Sequence, residues 1–280
     1  MRRLGRRGQS REYLILAAFG LMCALAGAVI VLLVWPRARE VAPVTATVVQ
    51  ATPEATTPPE TVADLAAKWM DSVAEVEVEY KAGRRSQTTE QGNGSGVYID
   101  PRGFFMTNYH VIEDALAVRV RLSDGQKLTV KDSAFDHTYD VAVLYTGPVE
   151  GLTAVEEGDS EALRVGDPVF AIGYPRVGDD VLPGTLTTGV VSGLNRLDVT
   201  AGNISPDVGM IQIDAAINAG NSGGALFDMD GKLVGIPAMK IAAGYGEESF
   251  EGLAFAIPID VARPIAVRLM DEIIQKGNGQ

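Results

Sequence analysis

Residues 216–227 read AINAGNSGGALF and place one serine, Ser222, in a glycine-rich turn between two apolar runs. A simple β-turn needs one or two conformationally permissive residues, whereas here Gly220, Gly223 and Gly224 all surround the serine. Glycine permits backbone conformations that other residues rarely adopt and lets a second segment approach closely, at an entropic cost. We therefore expect Ser222 to be exposed, with the N–H groups of its neighbours pointing outward.

The pattern around Ser222 has two possible structural settings. Residues 220–224 satisfy G-x-S-x-G, which is also the nucleophile elbow of the α/β-hydrolases. In that fold the acid and the histidine follow the serine, but no histidine follows Ser222 in this chain. The order excludes an α/β-hydrolase and leaves an arrangement in which the histidine comes first.

A serine hydroxyl becomes a strong nucleophile only beside a base that a third group orients. His110, in MTNYHVI, comes just after an apolar strand, where a loop would present it, and Asp140 directly precedes the segment VAVL. These two residues and Ser222 follow the order His, Asp, Ser of one known catalytic triad. Each alone is more typical of a surface, capping or loop residue, so the hypothesis depends on their joint occurrence. The second histidine, His137, lacks such a setting, and we expect it to be solvated.

Most of the chain after residue 83 consists of short β-rich segments about ten residues apart. They are SGVYID, FFMTNYHVI, AVRVRL, KLTVKD, VAVLYT, PVFAIGY, TTGVVSGL, GMIQIDAAI, KLVGIPAM and GLAFAIPI. Before them, TVADLAAKWMDSV predicts a short helix and AEVEVEY a strand, while VARPIAVRLMDEIIQK predicts a helix at the C-terminus. Segments of this length and spacing favour an all-β sandwich or barrel over alternating βαβ units.

The N-terminal residues predict a membrane anchor. Residues 13–35 are uncharged, long enough to cross a bilayer as a helix and followed by Pro36. Residues 1–12 carry five arginines and one glutamate, so the positive-inside rule places them in the cytoplasm and the rest of the chain outside. A cleaved secretory signal is the alternative, but it would be unusually long and lacks a clear cleavage site. Cys23 has no lipid-attachment motif before it.

The composition and charge of the residues after the predicted anchor indicate how this part of the chain is organised and what it binds. Residues 36–60 are rich in Pro, Thr, Ala and Val and predict an extended linker, which leaves residues 61–280 as the folded domain. The whole chain carries a net charge of −12 and residues 1–12 carry +4, so the part after the anchor carries −16. A field of that sign disfavours nucleic-acid binding.

No cofactor or metal is expected. The single cysteine, Cys23, lies in the apolar run and excludes an internal disulfide, and two histidines are too few for a zinc cluster. The segment from Asp228 resembles the start of a calcium-binding loop, but Met239 stands where that loop needs a glutamate.

Several segments together resemble the HtrA (Deg) family of trypsin-like serine proteases. Its three signature segments are similar to TNYHVI, DVAVL and INAGNSGGAL. The other segments that resemble the family are GSGVYID, LRVGDPVFAIGYP, TTGVVSGLNR, QIDAAIN, DGKLVGI and GLAFAIPID. The resemblance extends from about residue 62 to residue 270. It implies two perpendicular Greek-key β-barrels with the active site in the cleft between them.

The resemblance also assigns roles to individual residues. It implies that His110 is the general base, that Asp140 orients it and that Ser222 is the nucleophile. The backbone amides of residues 220–222, Gly220, Asn221 and Ser222, would form the oxyanion hole. Members of the family often carry PDZ domains after the protease and assemble as trimers. This sequence stops shortly after the predicted C-terminal helix, so we expect a form without PDZ domains, anchored by residues 13–35. The resemblance also implies a homo-oligomer, a trimer as in the family.

Substrate preference depends on the residues that line the specificity pocket. Digestive trypsin-like enzymes place an acid six residues before the serine, where this chain has Ala216. The walls of the pocket are expected from Ile217, Ile236, Ala238 and Ile241. Because these residues are apolar, we expect small or medium aliphatic side chains at the cleavage site, although Lys240 lies among them.

The sequence thus predicts a membrane-anchored serine endopeptidase that acts outside the cytoplasm, on a bacterial cell membrane, on unfolded or damaged proteins. Two other hypotheses remain open. One is a catalytically silent HtrA-like module or chaperone that binds peptide segments, and the other is an esterase on the same scaffold.

Overall fold

The computed structural model describes Met22 and residues 60–82, 88–178, 180–197, 205, 207–240 and 252–279. The chain divides into two units, Met1–Thr57 and Pro58–Gln280. Of the first unit only Met22 is described, so the predicted cytoplasmic segment 1–12, the predicted anchor 13–35 and nearly all of the linker 36–60 lie outside the described residues. Within the described residues, no helix has the length and apolar character needed to cross a bilayer.

Three α-helices and fifteen strands make up the described part of the second unit. The helices are α1 (Val62–Trp69), α2 (Tyr109–Ile112) and α3 (Ile259–Asn278), and a 3-10 turn (Met70–Ser72) follows α1. The first seven strands are β1 (Val73–Lys81), β2 (Thr89–Asp100), β3 (Phe104–Thr107), β4 (Ala117–Arg121), β5 (Lys127–Thr129), β6 (Asp132–Asp136) and β7 (Val141–Tyr145). The others are β8 (Pro168–Gly173), β9 (Arg176–Val177), β10 (Asp180–Val181), β11 (Thr185–Arg196), β12 (Met210–Ile213), β13 (Ala225–Phe227), β14 (Leu233–Lys240) and β15 (Ala254–Pro258).

The first sheet is an antiparallel half-barrel. Its strands are ordered β5-β4-β1-β2-β3-β7-β6, so its two edges are strands that follow each other in the chain with only residues 130–131 between them. Such a short connection forces the sheet to curl until its edges approach. Alternate residues of its strands, among them Val76, Tyr98 and Phe105, fill the concave side.

The second sheet closes completely. Six strands, β8, β11, β12, β15, β14 and β13, pair around a full circle. One apolar cluster takes residues from all six strands, as alternation along a barrel strand requires, and forms the barrel interior. The short β9–β10 hairpin leaves this barrel just after β8.

A third apolar cluster joins the two sheets to helices α1 and α3. Trp69 of α1 stacks on Phe227 of β13 with ring centroids 6.2 Å apart, and Phe227 stacks on Phe170 of β8 at 5.1 Å. The side chains of Thr61 and Asp64 cap the start of α1 reciprocally, which fixes where this helix begins.

The mostly β fold with a C-terminal helix is confirmed, with one correction. Among the described strands only the second sheet is a closed barrel, because β5 and β6 meet end to end without a ladder between them. Within the β-rich segment FFMTNYHVI, strand β3 ends at Thr107 and Tyr109–Ile112 forms a single helical turn, so His110 follows the strand.

Candidate active site

The loop that carries His110 is fixed by its contacts with Asp140. Strand β3 ends at Thr107, and the fully buried Asn108 donates from Nδ2 to the Asp140 carbonyl oxygen at 3.0 Å. The N–H of Tyr109 donates to the same oxygen at 3.2 Å. These bonds set the position at which α2 begins and therefore the position of His110 within it.

The Asp140 carboxylate holds His110 in two places. Its Oδ1 accepts from the His110 backbone N–H at 2.8 Å, and its Oδ2 lies 2.7 Å from the ring nitrogen Nδ1. The Asp140 side chain is 5% exposed and the His110 side chain 32% exposed, so the acid is buried and the ring reaches the surface. An ionised carboxylate can only accept, so a neutral ring donates from Nδ1 and keeps Nε2 free to accept a proton.

Asp140 has a left-handed backbone, with φ of 54°. Aspartate tolerates this conformation better than most residues do, because its short side chain is polar. The conformation turns the chain sharply before β7, and the carbonyl and carboxylate of Asp140 both face the His110 loop.

The turn that carries Ser222 packs against the sheet that carries His110. The Ser222 carbonyl oxygen accepts from Ser95 N–H of β2 at 2.8 Å. Gly223, with φ of 82°, lies so close to Ser95 and Thr107 that an added Cβ would overlap their oxygen atoms, and it would lie 3.0 Å from Asn108 N. The structure therefore brings the serine turn to the end of β3, next to the loop of His110.

Two N–H groups of this turn are available to an oxyanion. The Ala219 carbonyl oxygen accepts from Arg176 N–H at 2.9 Å, and in a trans peptide the N–H of Gly220 then points the opposite way. Within the described part of the chain, the N–H groups of Gly220 and Ser222 have no protein acceptor. The predicted third amide is not available in this geometry, because the Asn221 N–H donates to the Asn218 carbonyl oxygen at 3.0 Å.

Ser95 is a residue of the site that the sequence reasoning missed. Its hydroxyl donates to the Gly220 carbonyl oxygen at 2.6 Å and accepts from Tyr174 N–H at 2.9 Å, and the residue is fully buried. The pKa of Tyr174 is raised to about 12, mainly by burial and next by the Glu75 carboxylate, so the Tyr174 hydroxyl stays neutral. Ser95 therefore connects the serine turn to β2 and to the segment after β8. The only hint in the sequence is a serine between two glycines, in GSG.

We expect Ser95→Ala to lower kcat about 30-fold with little change in KM, because the turn loses its hydrogen bond at the Gly220 carbonyl oxygen while the neighbouring Gly220 N–H remains in place. The measurement is steady-state hydrolysis of a peptide substrate. Ser72→Ala is the matched control, since Ser72 is also buried and donates to the Thr153 carbonyl oxygen at 2.6 Å, away from the turn. Equal kcat values for the two variants would contradict a positioning role for Ser95.

The three described residues that are predicted to line a specificity pocket lie in two different apolar clusters. Ile217 is 4% exposed and lies in the cluster of the barrel interior. Ile236 and Ala238 are buried in the other cluster, between the sheets and helices. Ile241 lies outside the described residues, so the pocket stays a prediction.

A histidine held by a buried aspartate, beside a serine turn with two available N–H groups, is the arrangement of the trypsin-like serine peptidases. The half-barrel and closed barrel that carry these groups agree with that class. The sequence profile of the trypsin-like peptidase domain matches residues 94–236, just over half of the 280 residues, and the chain belongs to this family.

Its relatives include HtrA-type proteases, which confirms the resemblance found in the sequence. Serine protease Do-like HtrA of Bacillus subtilis is 42% identical over 198 residues, which are 69% of this chain and 41% of that protein. Serine protease PepD of Mycobacterium tuberculosis is 40% identical over 251 residues, 84% of this chain and 51% of that protein. Periplasmic serine endoprotease DegP of Escherichia coli is 40% identical over 180 residues, 64% of this chain and 36% of that protein. The chain thus spans about half or less of their lengths.

Solved structures of HtrA-type proteases share the fold. The HtrA-type protease AlgW with a tripeptide has a TM-score of 0.62 and 32% identity, covering 78% of this chain and 65% of that one. AlgW with a decapeptide has a TM-score of 0.64 and 27% identity, covering 76% of this chain and 68% of that one.

Proposed function

We propose that this chain is a serine endopeptidase in which His110, Asp140 and Ser222 form the catalytic triad. The observation that carries the proposal is the pair of bonds from the buried Asp140 carboxylate to His110, which fixes the ring with Nε2 free. In the proposed reaction Ser222 Oγ attacks the carbonyl carbon of a peptide bond while His110 Nε2 takes its proton. The resulting oxyanion binds to the N–H groups of Gly220 and Ser222.

The rest of the cycle follows from the same groups. The protonated His110 gives its proton to the leaving amine, and the C–N bond breaks to leave an acyl group on Ser222. Water then loses a proton to His110 as it attacks this ester, and Ser222 regains its proton when the acid product leaves. The carboxylate of Asp140 stabilises the imidazolium in both halves of the reaction, and no metal or cofactor takes part.

The substrates and cellular site belong to the same proposal. We propose unfolded or damaged proteins outside the cytoplasm as substrates, with residues 13–35 as the membrane anchor, residues 36–60 as a linker and residues 61–280 as the protease domain. The name of DegP as a periplasmic endoprotease supports the extracytoplasmic site. We also propose that the protein assembles as a trimer and does not bind nucleic acid. Its cleavage preference would be set by Ile217, Ile236, Ala238 and Ile241.

Labelling with a fluorophosphonate tests the proposal, because this reagent phosphonylates only a serine that a base has activated. The full-length chain is incubated with the reagent, with and without an unfolded protein such as reduced carboxymethylated α-lactalbumin. Mass spectrometry then locates the label. We expect one label, on Ser222, lost in both Ser222→Ala and His110→Ala.

Cleavage of the unfolded protein decides among the remaining hypotheses. Labelled Ser222 together with cleavage supports the endopeptidase. Labelled Ser222 with turnover of small esters but no cleavage of protein would favour an esterase. An unlabelled chain that binds the unfolded protein and releases it intact would favour a catalytically silent binding module or chaperone.

A further inference from the structure

An exposed aromatic cluster lies beside the candidate triad. We call it the aromatic shelf and define it as Tyr109, Phe135 and His137. The rings of Tyr109 and Phe135 are stacked with centroids 4.7 Å apart, and His137 meets Tyr109 edge-on at 6.4 Å. Phe135 is 52% exposed. An exposed phenylalanine in an aromatic group is unusual on a soluble surface and marks an interaction site more often than an isolated apolar residue does.

The shelf is attached to the triad on two sides. Tyr109 directly precedes His110 in α2, and its N–H binds the Asp140 carbonyl oxygen. Phe135 lies on β6, opposite Ala142 of β7, and His137 lies in the turn that leads from β6 to Asp140. The shelf therefore borders both the candidate base and the acid that orients it.

The backbone that carries Phe135 and His137 is connected to two other segments. Asp136, next to Phe135 on β6, forms an ion pair with Arg268 of α3 at 2.6 Å. The Thr138 carbonyl oxygen accepts from Ser205 N–H at 2.8 Å. These contacts and the stacking of Tyr109 on Phe135 order the surface before a ligand binds, which lowers the entropic cost of binding.

The chemistry of the shelf favours an uncharged ring or a large aliphatic group. The faces of Tyr109 and Phe135 offer stacking and apolar contact rather than charge. Glu113 forms the nearby rim, where its Oε1 accepts from the Tyr109 hydroxyl at 3.4 Å. Partial burial and the neighbouring carboxylates, Glu113 first, raise the pKa of Tyr109, so this hydroxyl remains neutral.

We propose that the aromatic shelf binds an aromatic or large aliphatic side chain of the polypeptide substrate, within three residues of the cleaved bond. An extended peptide advances about 3.3 Å per residue, so side chains at these positions reach rings adjacent to His110. The inference rests on the proposed function. It adds a physical reason why the proposed peptidase would prefer unfolded proteins as substrates. Such chains expose the apolar side chains that folded proteins bury.

Binding to an inactive chain tests the shelf independently of catalysis. The probes are fluorescein-labelled peptides of Ala and Ser with one Val. Each peptide carries a single Phe, placed at one of the three positions before the Val or at one of the three positions after it. Affinity for the full-length Ser222→Ala chain is measured by fluorescence anisotropy. We expect the best Phe peptide to bind about tenfold more tightly than its Phe-free parent, in line with the burial and stacking of one ring.

Adding Phe135→Ser to that chain is expected to reduce this preference to twofold or less. Val165→Ser is the matched control, because Val165 is 65% exposed and lies in the turn before β8, so the variant removes similar apolar surface elsewhere. It should keep the tenfold preference. Equal preferences in the two variants would overturn the proposal.

The single variant Phe135→Ser in the otherwise unchanged chain separates substrate binding from support of the triad. Its rate of fluorophosphonate labelling should remain within twofold of the original, while kcat/KM for the best Phe peptide falls about tenfold, mainly through KM. A labelling rate lowered more than tenfold would assign Phe135 to the folding of the triad and overturn the proposal. If the original chain neither labels nor cleaves, the proposed function fails, and the anisotropy measurement still decides whether the shelf binds peptides.

Discussion

Replacing Asp140 with asparagine is expected to lower kcat about 10⁴-fold while the protein stays folded. The amide of asparagine has nearly the shape of the carboxylate, and asparagine also tolerates the left-handed backbone found at this position. The amide nitrogen, however, donates a hydrogen bond where the carboxylate accepted one. His110 Nδ1 would then accept, its proton would move to Nε2, and Nε2 could no longer take the proton of Ser222.

The comparison that tests this prediction uses a second aspartate outside the site. Asp100 binds Arg102 at 2.8 Å, and in the described part of the chain no hydrogen bond or ion pair joins it to His110, Asp140 or Ser222, so Asp100→Asn should keep kcat within twofold. Peptide hydrolysis and the rate of fluorophosphonate labelling are measured for both variants, with circular dichroism to verify the fold. An Asp140→Asn chain with more than a tenth of the original kcat would contradict the assigned role of Asp140.

Much of the fold could be predicted because its strands carry local signals. AEVEVEY alternates strictly, as expected for β1, whose valines face the concave side of the half-barrel. Strand β6 was missed because DSAFD has acids at both ends and buries only Ala134, so no alternation is visible. Its pairing with β7 is made by the backbone.

The end of β3 shows how tertiary contacts override a local pattern. FFMTNYHVI has no sharp local boundary between strand and loop, but the buried Asn108 binds the carbonyl oxygen of Asp140, which lies 32 positions later in the chain. No local property of the segment reveals that partner. The closure of the first sheet was equally hidden, because it depends on whether two edge strands form a ladder.

The candidate site divides in the same way. His110, Asp140 and Ser222 could be proposed from their order and from the glycines around the serine. Ser95 could not, because its hydroxyl is paired with Gly220, 125 positions away, and with Tyr174, 79 positions away. The role of the Asn221 amide was also beyond the sequence, since it depends on a bond within the turn itself.

Gly223→Ala is expected to destabilise the protein by about 4 kcal/mol and to slow labelling of Ser222 at least 100-fold. A non-glycine residue in a left-handed conformation costs about 1–2 kcal/mol, and overpacking a filled site costs about 1–3 kcal/mol more. Both apply at Gly223, where φ is 82° and an added Cβ would overlap oxygen atoms of Ser95 and Thr107. Relief of that overlap must move the turn, and a displacement of about 1 Å is enough to lower a catalytic rate 100-fold.

Gly151→Ala separates the two contributions. Gly151 has nearly the same φ, 79°, but no atom lies within 4 Å of an added Cβ, so this variant should lose only about 1–2 kcal/mol and label at the original rate. Urea unfolding of both variants gives the difference in stability, and labelling is measured at concentrations where each is folded. Equal losses in the two variants would mean that the serine turn does not pack closely against β2 and β3. That result would contradict the contact that places Ser222 beside the loop of His110. It would also remove the geometric basis for assigning these residues to one active site.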